Sequence, residues 1–202
     1  MAVTLVLTRF PTKSFKLGNR SGRWGELVAI RGPKVAAVQM APNLGGCPTE
    51  DAGSGGDCIA FGGGTLNVST VDGSAIEEWK RFTSLERFKA DGGAKGFYVQ
   101  LHPKPGPYFV TYEAGNSVVK TLRPDHDGRC FRVHGGSTAA EQGILIHEAP
   151  EVGWLIGCIS PRPLNNLTTQ FPNKKGNPSY RSMNELFQFV GASPADLFVT
   201  DW

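Results

Sequence analysis

The sequence predicts a mainly β domain, a β-sandwich or partly open barrel, with two or three short helices. Three observations carry this expectation. The 26 glycines and 14 prolines among 202 residues break the chain into turns too often for a helical bundle. Hydrophobic residues make up 40 % of the chain, enough for a sizeable core and too many for global disorder. The apolar residues also gather in short runs bounded by turn formers, which is the pattern of strands.

The elements follow in order. Val3–Phe10 reads as a strand, and Gly22–Ile30 and Val35–Met40 as two more around the turn Arg31-Gly32-Pro33. From Gly45 to Gly64 glycine dominates, as a long loop or insertion. This stretch lacks the Gly-Lys-Ser/Thr step of a phosphate cradle and the Gly-x-Gly-x-x-Gly that opens a dinucleotide-binding helix. Cys47 and Cys58 flank its Gly-, Asp- and Ser-rich segment. An oxidising compartment would let them close a disulfide, and a cytosolic one would keep them reduced. Ser74-Ala75-Ile76-Glu77 has capping-box form, and Ile76, Trp79, Phe82 and Leu85 recur at helical spacing, so a helix is expected here, ended by Gly92-Gly93. Strands are expected at Gly96–His102, Tyr108–Tyr112, Cys130–His134 and Ile144–His147, with a further apolar run at Trp154–Ile159. A second capping box, Ser182-Met183-Asn184-Glu185, starts a helix through Met183, Leu186, Phe187 and Val190, stopped by Gly191. We expect one domain over residues 1–202, with a catalytic core segment at 83–163.

Charge narrows the functional classes. A formal net charge of +3, spread along the chain, gives no footprint for nucleic acid. No run reaches the roughly 18 apolar residues of a membrane helix. The start, Met1 to Phe10, lacks the basic region of a signal peptide, so synthesis in the cytoplasm without a leader is expected. There is no Cys-x-x-Cys pair and no zinc-finger histidine spacing, so neither a metal nor another cofactor is expected. Asp125-His126-Asp127 reads as a turn without an obvious further ligand.

The chemistry points to one stretch. His147 ends an apolar strand, a turn-rich connector follows, and Gly157-Cys158-Ile159 comes 11 residues on. Neighbouring strands would bring imidazole and thiol together, which a cysteine nucleophile needs, because the thiolate reacts and a free thiol has a pKa of about 8.5. Gly157 lets a substrate carbonyl approach the backbone, where the N–H groups of Gly157 and Cys158 would hold an oxyanion. The alternative stays open, since free cysteines are among the most buried residue types. Cys130, beside Arg129 and Arg132, is a rival nucleophile by charge, but its alternating surroundings suit a strand with one face buried.

These residues resemble the active-site segment of L,D-transpeptidases, and in particular the compact L,D-transpeptidase/carboxypeptidase toxins of type VI secretion. They are also similar to an uncharacterised bacterial and phage family carrying Ile-His and Gly-Cys-Ile at this spacing. Thr83-Ser84-Leu85-Glu86 and Pro105-Gly106-Pro107-Tyr108 are similar to that family's Thr-Leu-Glu and Pro-x-Gly-x-Tyr elements, with Ser84 interposed in the first and no residue between Pro105 and Gly106 in the second. The resemblance implies a β-sandwich core, Cys158 as nucleophile, His147 as base and peptidoglycan stem peptides as substrate. It further implies an antibacterial effector acting in the periplasm of a target cell, with a cognate immunity protein and a secretion-apparatus protein as partners. The chain departs from the transpeptidase pattern at Ile156, in place of a second histidine, at Leu155, in place of Ser/Thr, and at Ser160, where many members carry arginine; the nearest arginine is Arg162.

Around this pair, His134 and Ser137 are candidates to orient His147 or hold substrate, with a glycine turn as the plainer account. Trp154 walls the site or belongs to the core. Ser160 and Arg162 are candidate substrate contacts, although an arginine is more often at the surface. Glu148 and Glu151 are expected as solvated loop charges. A non-catalytic β module of a phage or secretion apparatus, or a cysteine amidase or peptidase of another fold, would account for the same residues.

Overall fold

The computed structural model describes residues 1–17, 20–42, 47, 52–61, 64–90, 101–122, 127–137, 143–155 and 157–201. A long hairpin opens the chain: β1 (Ala2–Leu17) pairs antiparallel with β2 (Arg20–Gly32). Next come β3 (Val35–Pro42), β4 (Ala52–Gly53), β5 (Cys58–Phe61), β6 (Gly64–Thr70) and β7 (Glu78–Ala90). The second half holds β8 (Tyr108–Glu113), α1 (Ser117–Leu122), β9 (Cys130–His134), β10 (Leu145–Ile146), a 3-10 turn at Val152–Trp154, β11 (Ile159–Arg162), α2 (Pro178–Val190) and β12 (Ala195–Asp201). The protein is mainly β, as the turn-rich composition predicts.

Eight strands close into a barrel in the order β11-β10-β9-β8-β12-β1-β2-β7, with β7 returning to β11. Pairings are antiparallel except β1 with β12 and β10 with β11, which are parallel. Leu5, Leu7, Leu27, Phe82, Val110, Phe131, Ile146, Ile159 and Leu197 fill the interior, and α2 adds Met183, Leu186, Phe189 and Val190. A separate sheet, β3-β6-β5, is packed through Ile59, Leu66 and Val68 onto Val6, Val28, Ile30 and Trp79 of the barrel wall. Cys47 and Cys58 are joined in a disulfide with Cα atoms 5.6 Å apart, and the glycine-rich segment contributes β4 and β5 as well as loop.

The expected helix after Ser74 is instead β7, 13 residues long. Residues 81–87 are buried on both faces of the wall, so the side that packs outward carries polar residues as well. Arg81 pairs with Glu26 and Glu86 with Arg9. Polarity therefore failed to mark a strand, and the apolar residues left over fell by chance at helical spacing. Pairing with β2 on one edge and β11 on the other overrides that local signal. Ser74 sits in a turn: its N–H donates to Asp72 Oδ1, and Gly73 takes φ +75°.

Three smaller differences follow. α2 begins one turn earlier than Ser182, with Asn177 as its N-cap and Pro178 in the first turn, and ends at Gly191 as expected. The run Trp154–Ile159 is divided: Trp154 ends a 3-10 turn, and β11 starts at Ile159, after Cys158. The strand expected at Gly96–His102 falls largely outside the described residues, as do Ile156, Asp125 and His126.

Candidate active site

β10 and β11 form the short parallel pair that frames the site, with Ile146 opposite Ile159 and the His147 N–H donating to the Ile159 carbonyl at 3.0 Å. Side chains alternate across a strand. With Ile146 and Ile159 turned into the barrel, Leu145 of β10 and Cys158, directly before β11, belong to one cluster on the outer side. His147 directly follows β10, so by the parallel register it stands beside Ser160 while Cys158 stands beside Leu145, a diagonal placement across strands about 4.8 Å apart. Cys158 sits in a second apolar cluster with Phe10, Trp24, Leu85, Cys130, Leu145, Val152 and Leu155, against which half-buried Trp154 packs.

His147 is 2 % exposed. Its Nδ1 lies 2.6 Å from the Glu148 carbonyl oxygen. A carbonyl oxygen only accepts, so Nδ1–H donates and the lone pair falls on Nε2, the tautomer a general base requires. Gly157 holds φ +75°, a left-handed conformation in which a side chain would be strained. The glycine before the cysteine is therefore required by the backbone.

The two rival thiols differ. Cys130 is fully buried, and burial first, then the charge of Glu113, pushes its thiol up to about 12. It stays protonated at neutral pH. Cys158 is 7 % exposed at the end of a loop.

Glu148 is a correction to the expected solvated charge. It is 1 % exposed, and its Oε1 accepts from Asn177 Nδ2 at 2.9 Å. Glu151 is half-buried and bridges to Gln170. Arg162 is a second correction: expected at the surface, it is fully buried, and burial pushes its guanidinium down to about 9. Ser160 is also fully buried, its hydroxyl 2.9 Å from that of Ser179. Ser179 Oγ in turn accepts the Ala149 N–H at 3.0 Å. Ser160 thus helps to hold the loop after His147.

His134 and Ser137 are not brought to this pair. His134 lies four residues beyond Cys130 on β9, about 13 Å away at a strand's rise. Its Nε2 meets Thr111 Oγ1 at 2.7 Å. Ser137 lies further on and is exposed. Two positioning residues escaped the sequence reading, Asn177 and Ser179. Their signal was present: Asn-Pro-Ser is a helix start, with a capping side chain followed by proline.

Among the described residues, no group of histidine, cysteine, aspartate or glutamate side chains is arranged to hold a metal ion, and no helix is long and apolar enough to cross a membrane. No protein-family model, no curated protein and no solved structure matches the chain.

Proposed function

We propose that this protein is a cysteine-dependent acyl-transfer enzyme acting on peptidoglycan stem peptides, as an L,D-transpeptidase or L,D-carboxypeptidase. The observation that carries the chemistry is the His147 ring. Its Nδ1–H is tied to the Glu148 carbonyl at 2.6 Å, directly after β10, which pairs with the strand that follows Gly157-Cys158. The choice of substrate rests on the resemblance of His147, Gly157 and Cys158 to the L,D-transpeptidase segment.

In the proposed reaction His147 Nε2 takes the proton from Cys158 Sγ, and the sulfur attacks a peptide carbonyl beside a D-centre. The C–S bond forms and the carbonyl becomes an oxyanion, held by the N–H groups of Gly157 and Cys158. Collapse of this intermediate breaks the C–N bond, and the imidazolium returns its proton to the leaving amine. A thioester remains. An acceptor amine attacking it gives transfer or exchange, and water gives carboxypeptidase cleavage; in both cases His147 takes the attacking proton and Cys158 leaves as thiol. The resemblance extends the proposal to a secreted antibacterial effector, made in the cytoplasm, acting in the periplasm of a target cell and met there by an immunity protein.

Mass spectrometry of purified muropeptides incubated with wild type and with Cys158→Ala tests this. We expect loss of a terminal D-alanine, or its exchange for an added D-amino acid, with wild type only. Identical products from both folded proteins overturn the mechanism. One observation favours a second reading, a non-catalytic β module of a phage or secretion apparatus: Cys158 is 7 % exposed and packed among apolar side chains, as a core residue would be. Unchanged muropeptides with both proteins would select it.

A further inference from the structure

We propose that Arg162 is the anchor of an anion-binding subsite beside Cys158, and that it takes the carboxylate of a short peptide ligand. The proposal deepens the reading above by naming what the same site would recognise. Its geometric basis is independent of the chemistry at Cys158.

Three buried arginines make the case by contrast. Arg9 Nε and Nη2 meet both carboxylate oxygens of Glu86 at 2.8 and 3.0 Å. Arg81 Nε and Nη2 meet both oxygens of Glu26 at 3.0 and 3.1 Å. Arg162 is as buried as these, yet among the described residues no carboxylate pairs with it. Its Nη2 donates to the Ala149 carbonyl at 2.8 Å, while Nε and Nη1 have no hydrogen-bond partner. Buried charges are ordinarily paired, so two orphaned donors on this guanidinium call for an explanation, which an acceptor from outside the chain would supply. Burial alone, with no compensating acid, also pushes this guanidinium downward.

The surroundings select the ligand. The guanidinium lies over the Phe171 ring at 4.6 Å and the Trp24 ring at 5.9 Å. Two aromatic rings thus pack against the guanidinium, and the N–H groups at Nε and Nη1 are the ones a planar partner would take. A carboxylate, planar and singly charged, matches one guanidinium in shape and charge. A phosphate would call for further donors.

Position ties the subsite to Cys158. Cys158 and Arg162 stand an even number of residues apart on one outer face, about 13 Å along the chain at a strand's rise. That distance is within the span of a short peptide. The segment carrying Phe171 closes over the guanidinium through the Phe171 N–H to Pro150 carbonyl bond at 2.7 Å and the bridge between Glu151 and Gln170. Just past Arg162, a cavity of about 500 Å³, the size of a small-ligand cleft, is lined by Pro163, Leu164, Lys80, Arg81, Arg181 and Glu185.

The test reads the arginine directly. The Nε–H resonance of Arg162, identified by its absence in Arg162→Lys or by triple-resonance assignment, is followed by NMR. Sodium acetate is titrated in at constant ionic strength against sodium chloride and acetamide. We expect a saturable shift with acetate, at least tenfold weaker with acetamide, absent with chloride, and equal in wild type and Cys158→Ala. An unmoved resonance, or one that moves alike with acetate and chloride, overturns the subsite. Because Cys158→Ala lacks the nucleophile, its titration reports the anion site whether or not muropeptides are turned over.

Discussion

At the scale of single residues, the two thiols outside the disulfide, Cys130 and Cys158, should behave differently although both are buried. Cys130, pushed up to about 12, carries its proton at every pH near neutrality and is unreactive. Cys158 directly precedes β11, which pairs with β10, and His147 directly follows β10; the base-competent nitrogen of His147 follows from the Nδ1 bond to the Glu148 carbonyl. Iodoacetamide at pH 7 followed by peptide mapping should therefore label Cys158 and spare Cys130 in the folded protein, and label both in urea. Sparing of both would identify Cys158 as a packing residue and remove the proposed nucleophile. Cys47 and Cys58, as a disulfide, should be labelled only after reduction.

At the scale of elements, a strand pair of very few residues carries the site. β10 has two residues and β11 four, which is little to hold a catalytic geometry. The start of α2 supplies the missing restraint. Asn177 caps the helix by accepting the Tyr180 N–H at 3.0 Å and donates to Glu148, while Ser179 accepts from Ala149. The helix terminus thereby grips the loop that follows His147. Asn177→Ala removes the cap and leaves the buried Glu148 carboxylate short of a donor. We expect a loss of about 1–2 kcal/mol, measured by urea unfolding. Under the proposed function, turnover should fall as well while muropeptide product identity stays the same. A variant as stable as wild type would show that the clamp contributes nothing.

For the whole molecule, closure of the barrel decides which polar groups must be buried. The wall is covered on the inside by α2 and the core and on the outside by the β3-β6-β5 sheet and the Cys158 cluster. Charged residues in the middle of β1, β2 and β7 are therefore trapped and must pair across strands. Arg9 with Glu86 is such a pair, at 2 % and 3 % side-chain exposure. Glu86→Ala leaves the buried Arg9 guanidinium with half-exposed Asp201, 3.6 Å away, in place of its buried partner, and should cost about 3 kcal/mol. Arg9→Met combined with Glu86→Met removes both charges and should cost clearly less than that single change. Equal losses for the single and double variants in urea unfolding would show that the pair is not coupled.

What the sequence determined alone is the β class, the positions of strands such as Cys130–His134 and Tyr108–Tyr112, the end of α2 at Gly191, and the separation of His147 from Cys158. All of these depend on neighbours close in the chain: alternation, turn residues and caps. Only the tertiary structure decided that β7 is a strand, that Glu148 and Arg162 are buried, and that Asn177 and Ser179 serve the loop after His147. Each of these depends on partners far along the chain, Arg9 for Glu86, Asn177 for Glu148, and β2 with β11 for β7. Local periodicity registers polarity but not pairing. In a closed barrel packed on both faces, it is pairing that determines where a charged residue ends up.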